Sequence, residues 1–335
     1  MRSSLFALSL LATLTLSASP ALASPWTLPA DELVVGFDYT FQRATREFLI
    51  DGRPIQAYPL NGRYFGNNLR THARYGFTDR FELGADVDFR QVAYLADALL
   101  LNDPEPGDTA GELTDQIRNF NTSAFGVADV YLHARYNLVR GAVFITSESS
   151  AKLPTGYDEP TGTFVTDEAG NTRIGGQATL GDAQSDLTQS LLLGTYIAPL
   201  NTFVRLDAGL RYRFGSPGNQ ALAGVRAGTF INDNVVLLAG LRGIHTITEG
   251  EVIGQTYVTG SPQTPANQLS PDDIEVLDLR LDRSALTADA GLIIRVAGFE
   301  LLANYGYTFW GRNTAASHSF SLGTIFALPD ATAAR

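Results

Sequence analysis

Hydrophobic and polar positions alternate with a period of two from Arg70 to Arg90. One set of alternate positions before Thr78 reads Leu69, Thr71, Ala73, Tyr75 and Phe77, and the other reads Arg70, His72, Arg74 and Gly76. After Thr78-Asp79-Arg80 the apolar set resumes as Phe81, Leu83, Ala85, Val87 and Phe89, against Glu82, Gly84, Asp86, Asp88 and Arg90. Strict alternation broken by a short polar turn predicts an antiparallel hairpin. Its polar face carries ionised groups interleaved with glycine, where the solvent face of a soluble sandwich usually carries Thr, Ser and Lys. Phe77 and Phe81 bracket the turn. A lipid face, a polar lumen face and aromatic girdles are the attributes of a transmembrane β-barrel strand.

The pattern recurs in about twelve segments. Strand 1, near residues 32–42, sets Leu33, Val35, Phe37, Tyr39 and Phe41 on one face. Further on, Asp129, Tyr131, His133 and Arg135 oppose Val130, Leu132, Ala134 and Tyr136, and Glu148, Ser150 and Lys152 share a face. Arg205, Asp207, Arg211 and Arg213 oppose Leu206, Ala208, Leu210, Tyr212 and Phe214. Arg226, Arg242, Asp289, Arg295 and Glu300 occupy the polar face of later strands, and the segment 187–197 is apolar on both faces. Connections alternate between tight turns, near 78–80, 140–141, 199–201, 232–234 and 297–298, and generally longer links. The longest of these lie near 43–66, 95–125, 154–186 and 248–283, with shorter ones at 215–219 and 311–316. Short periplasmic turns and long extracellular loops mark outer-membrane barrels. The prediction is an all-β fold, a single closed antiparallel transmembrane β-barrel of about twelve strands in an up-and-down meander. No ionised residue of a clean strand falls on its apolar face, where Arg or Lys costs about 2–4 kcal/mol at the bilayer midplane.

The N-terminus changes the picture only by naming a compartment. Arg2, an apolar run from Leu5 to Leu16 and Ala21-Leu22-Ala23 predict a secretory signal peptide over residues 1–23, with the barrel domain over 24–335. The chain has no cysteine, which excludes a lipoprotein anchor and a disulfide framework. No later stretch reaches the roughly 18 apolar residues of a membrane helix. A formal charge of −11 argues against a nucleic-acid partner.

Twelve strands about 4.8 Å apart and tilted about 40° enclose a backbone radius of about 12 Å. The candidate lumen-lining residues are therefore Arg70, His72, Arg74, Glu82, Asp86, Asp88, Arg90, Asp129, Tyr131, His133, Arg135, Glu148, Lys152, Arg205, Asp207, Arg211, Arg213, Arg226, Arg242, Asp289, Arg295 and Glu300. They predict a ladder of Arg–carboxylate pairs, either around a small hydrophilic path or filling the pore. Acidic loop pairs, Asp158-Glu159 and Asp272-Asp273, lack the spacing of a calcium loop. No metal or cofactor is expected. Catalytic signals are weak, since there is no G-x-S-x-G elbow. Ser147 and Ser149 share the outward parity of His245 and His318 but stand four or more strands from either.

Four blocks occur in order: Tyr75 to Gly84, Ala128-Asp129-Val130 with His133 to Tyr136, Lys152 to Gly156, and Leu180 to Asp186. Together they resemble the outer-membrane transporter-like family named for the MetA pathway of phenol degradation. The resemblance spans the first half of the barrel and departs at Ala128 and Ala183, which stand where glycine is expected. It implies a bacterial outer-membrane barrel passing small solutes, aromatic compounds among them, with lipid, lipopolysaccharide and the barrel-assembly machinery as partners. The chain ends in a polar tail after Phe326-Ala327-Leu328, not in a terminal aromatic. Strand 1 begins about nine residues after the predicted cleavage site, which leaves no room for an N-terminal plug of the fatty-acid-transporter kind. Two functional readings stay open: a passive channel for small solutes, and a non-conducting barrel whose loops carry the function.

Overall fold

A computed structural model describes residues 25–49, 56–58, 61–100, 107, 109, 117–118, 121–161, 164–166, 172–174, 178–259, 274–296 and 298–328. The predicted signal peptide, Asp272-Asp273 and most of the 103–115 loop lie outside these. Twelve strands form the wall: β1 (Leu33–Ala44), β2 (Arg63–Thr78), β3 (Phe81–Leu95), β4 (Thr122–Val139), β5 (Val143–Pro154) and β6 (Asp186–Ile197). The second half comprises β7 (Thr202–Arg213), β8 (Gln220–Asn232), β9 (Val235–Thr246), β10 (Ser284–Val296), β11 (Phe299–Arg312) and β12 (His318–Leu328). Each pairs with its chain neighbours, and β1 pairs antiparallel with β12 from Leu33↔Leu328 to Arg43↔His318. The barrel is closed, so every wall strand has a partner on both sides, as a membrane interior demands.

Tight turns gather at one end with the two ends of the wall, and long links gather at the other. Short ladders extend the wall at the long-loop end. Arg46–Phe48 pairs with Gln56–Ala57 and with Thr314–Ala315. Phe164–Thr166 bridges Thr172–Ile174 to a hairpin of Val252–Thr259 and Ile274–Arg280.

The burial pattern is inverted relative to a soluble protein. Phe37, Leu132, Leu191, Leu206 and Leu210 are exposed on the outside, while Asp88, Asp289, Arg135 and Glu82 are buried. Phe77 packs edge-on to Tyr75 and tilted against Phe81 at the tight-turn rim, and Tyr212 packs edge-on to Phe214 at the opposite one. The ambiguous segment becomes β6, with Leu187, Leu191 and Leu193 outward and Leu192 buried inside beside Asp186 and Thr188. A β-bulge sets Ala128 and Asp129 opposite Asp88, where the β3–β4 register shifts between Val87 and Phe89. Ala128 and Asp88 are fully buried there, as expected where a bulge re-aims side chains.

Candidate functional site: the barrel interior

The interior carries a network of ion pairs between neighbouring strands. Parity turns these charges inward, and in a confined space each guanidinium lowers its energy by taking a carboxylate. Arg70 binds Asp88 through Nε at 2.6 Å and Nη2 at 2.9 Å, and its guanidinium lies 5.0 Å from the Tyr131 ring. Arg90 reaches Asp88 at 3.2 Å and Asp129 at 4.0 Å. His133 Nε2 lies 3.1 Å from Asp86, and His72 Nδ1 lies 3.3 Å from Asp38 on β1. Arg74 and Arg135 share Glu82 at 3.7 and 3.5 Å, and Arg135 also binds Glu148. Lys152 and Arg213 both hold Asp182 and reach Asp186 at 3.3 and 3.4 Å. Arg205 pairs with Asp207 at 3.2 Å, and Arg226 and Arg242 share Asp289 at 3.3 and 3.2 Å. Arg295 pairs with Glu300 at 2.9 Å near the tight-turn end. Arg211 differs, since its hydrogen bonds go to Thr188 and Gln220.

One side of the tight-turn third of the interior is apolar. Phe203, Val236, Leu238 and Ile293 form a buried cluster inside the wall, extended by Phe230 and Leu302. The occupant of this layer is the N-terminal segment itself, a short strap and not a folded plug domain. Residues 25–31 enter the barrel as a strap. Trp26 packs against Phe144 at 5.7 Å and edge-on against Phe203 at 6.0 Å. The Pro25 carbonyl accepts from Asn137 Nδ2 at 3.2 Å and from Thr146 Oγ1. The Leu28 amide donates to Glu82 at 2.9 Å, Thr27 Oγ1 to the Asp79 carbonyl at 2.8 Å, and the Asp31 amide to the Gly76 carbonyl at 2.7 Å. These anchors run from the β2–β3 turn to β7, so seven residues cross the lumen. A Cβ on Gly194 would collide with the Pro25 ring, so the wall opposite the strap needs glycine. A seven-residue irregular segment has no periodicity by which sequence spacing could place it. The signal was Trp26, one of two tryptophans in the chain, close behind the predicted cleavage site.

At the long-loop end, residues 178–185 fold inward, although the β5–β6 link shows no sequence feature that requires it. Arg90 Nη1 donates to the Leu180 carbonyl, and Leu180 is buried against Gly126. Tyr157 OH donates to Asp129 at 2.7 Å and accepts from the Ala183 amide at 3.3 Å. Burial and then the Asp129 bond push the Tyr157 hydroxyl pKa well up. Burial alone would raise Asp182, but Lys152 and Arg213 outweigh it and hold the carboxyl below the usual range. Ala183 adopts φ +55°, so the expected glycine position does demand the left-handed region here.

The described interior holds open space. One cavity, of about 800 Å³, lies in the barrel among β1–β3, β7–β9, β11 and β12. Another, of about 500 Å³, lies toward the long-loop end among Lys152, Arg211, Arg213 and Ile244. Both are lined by Arg90, Gly181 and Arg283, which form the boundary between them. His245 and His318 lie on the outer face, where His318 Nδ1 is 2.6 Å from Tyr305 OH. Ser147 and Ser149, on β5, instead bond Gln189. No cluster suited to a metal ion occurs among the described residues.

Fold and interior together define a twelve-stranded outer-membrane-type barrel with a partly filled, charge-lined lumen. Neither a family model nor a curated protein matches the sequence. Among solved structures the chain is similar to the COG4313 outer membrane channel from Pseudomonas putida F1. The TM-score is 0.60 at 11% identity, over 91% of this chain and 98% of that one. The KdgM porin gives a TM-score of 0.45 at 7% identity over 88% and 99%. The β domain of the Bordetella autotransporter BrkA gives 0.46 at 13% over 89% and 100%. Likeness at these identities concerns the fold alone.

Proposed function

We propose that this chain is a passive channel of a bacterial outer membrane for small solutes, exported by its N-terminal signal peptide. The observation that carries the reading is the pair of cavities stacked along the barrel and meeting at Arg90, Gly181 and Arg283. A barrel built only as a scaffold has no need for hollow space lined by paired charges. The side chains predicted to line a pore, from Arg70 on β2 to Glu300 on β11, are in this reading the walls of the path. The ladder of pairs sets its polarity, and the inward residues 178–185 narrow it. The four sequence blocks resembling the MetA-pathway family, and the fold shared with an outer membrane channel, support the same reading. Lipid and lipopolysaccharide meet the outer apolar belt, and the barrel-assembly machinery inserts it.

The strap favours a second reading, in which the barrel does not conduct until residues 25–31 leave the lumen. Reconstitution in planar bilayers separates the two. Open-channel events in the unmodified protein support a path around the strap. A silent wild type that conducts once the strap is cut or weakened supports a gated channel. Silence in both refutes the channel.

A further inference from the structure

The interior arginines are not all neutralised. Six of them line the larger cavity, and only Asp38 and Asp207 line it with them. Behind that surface, Asp88 takes Arg70 and Arg90, Asp289 takes Arg226 and Arg242, and Asp207 takes Arg205. Arg283 is left over. Its side chain has no carboxylate or hydrogen-bond partner among the described residues, although its own carbonyl is occupied by Gln220 and Thr246. It is exposed, and the space it faces is the barrel interior, since it lines both cavities. Arg211, which lines the 500 Å³ cavity with it, hydrogen-bonds the neutral oxygens of Thr188 and Gln220. Desolvation inside the enclosing barrel, and after it the charge of Arg211, depresses the Arg283 pKa, so the two cations act on one another.

We propose that Arg211 and Arg283 form a station in the lumen that binds the carboxylate of small organic anions with a compact apolar body. Asp129, Asp182 and Asp186 line the same space but are held by Tyr157, Arg90, Lys152 and Arg213. Among the described residues Arg211 and Arg283 have no carboxylate of their own there, and a bound carboxylate between them relieves their repulsion while accepting charge-assisted hydrogen bonds. Ile244, Ile253 and Leu281 line the same 500 Å³ space, giving an apolar surface beside the cations. A volume of that order accommodates a small organic ligand. The station rests on the channel reading and deepens it, since it names the class of solute that would pause at the boundary between the cavities.

The test reads binding without requiring conduction. Fluorine NMR of 4-fluorobenzoate with the full-length, detergent-solubilised protein should show line broadening that saturates, and uncharged 4-fluorobenzyl alcohol should bind at least tenfold more weakly. Arg283→Gln and Arg211→Gln should each weaken the carboxylate about tenfold or more. Arg43→Gln, at the outer rim, should leave it unchanged. Equal binding of acid and alcohol to wild type overturns the station even if the variants fail to fold, and so does undiminished binding in folded Arg283→Gln. Absence of conductance in bilayers alongside intact carboxylate binding would sink the channel reading and leave the station standing.

Discussion

Replacing Trp26 by Ala removes the largest side chain of the strap from the apolar layer. A fully buried Trp→Ala change costs about 3–5 kcal/mol. Trp26 is partly buried, which puts its loss at the low end, and the ring contacts to Phe144 and Phe203 supply about 0.5–1.5 kcal/mol each. The anchors that survive include the Pro25 carbonyl, the Thr27 hydroxyl on the Asp79 carbonyl, the Leu28 amide on Glu82 and the Asp31 amide. Each is worth about 1 kcal/mol net, somewhat more where it meets the Glu82 charge. Against them stands an ordering cost of about 1–2 kcal/mol for every strap residue. Loss of even 3 kcal/mol shifts docked against displaced strap by about 150-fold. No wall strand loses a hydrogen bond, so the barrel should keep its heat-modifiable mobility on gels. Single-channel recording should show Trp26→Ala open longer or at higher conductance than wild type, while Trp310→Phe at the outer rim changes nothing. If folded Trp26→Ala and wild type give the same current record, the strap is not what limits the path.

Other perturbations test other layers of the same structure. Tyr157→Phe removes the bonds to Asp129 and Ala183 and should cost about 1–2 kcal/mol, which limited proteolysis would read as faster cleavage within 178–185. Leu206 is half exposed on the outer face of β7, so Leu206→Arg should lower the stability of the bilayer-inserted barrel by about 2–4 kcal/mol in urea titrations. An unchanged midpoint would place Leu206 away from lipid. Burial pushes the Glu47 carboxyl, in the ladder above β1, up from 4.5 to about 7. An acid whose folded pKa is raised favours the folded form most below its unfolded pKa. The contribution, at most about 3 kcal/mol, is therefore lost as pH rises from about 4.5 through 7. Amides of 46–48 and 314–315 should exchange faster at pH 8 than at pH 5, after correction for intrinsic rates, and Glu47→Gln should abolish the difference.

The residues differ in how far they declare their own place. Arg70, Asp88, Arg205 and Asp289 could be placed from the chain alone because a strand has two faces and lipid tolerates no unpaired charge on one of them. The same rule located all twelve wall strands and sorted their connections into tight and long. It left the facing of β6 open, since Leu192 and Leu193 are alike in hydrophobicity and only closure of the barrel turned the first one inward. Which acid meets which arginine was equally hidden, because register across a closed wall is a long-range property. That register is why Asp289 serves both Arg226 and Arg242 while Arg283 has no acid among the described residues. The strap and the inward turn at 178–185 belong to the same class. A short irregular segment carries no periodicity, and its place is chosen by the hollow that surrounds it: Trp26 meets an apolar ring, Leu180 a glycine gap. Alternation along the chain thus decided which side chains face oil and which face the interior, since that choice is local and repeats every second residue. What fills the interior, and which charges are left unpaired there, was decided only when twelve strands met around a common axis.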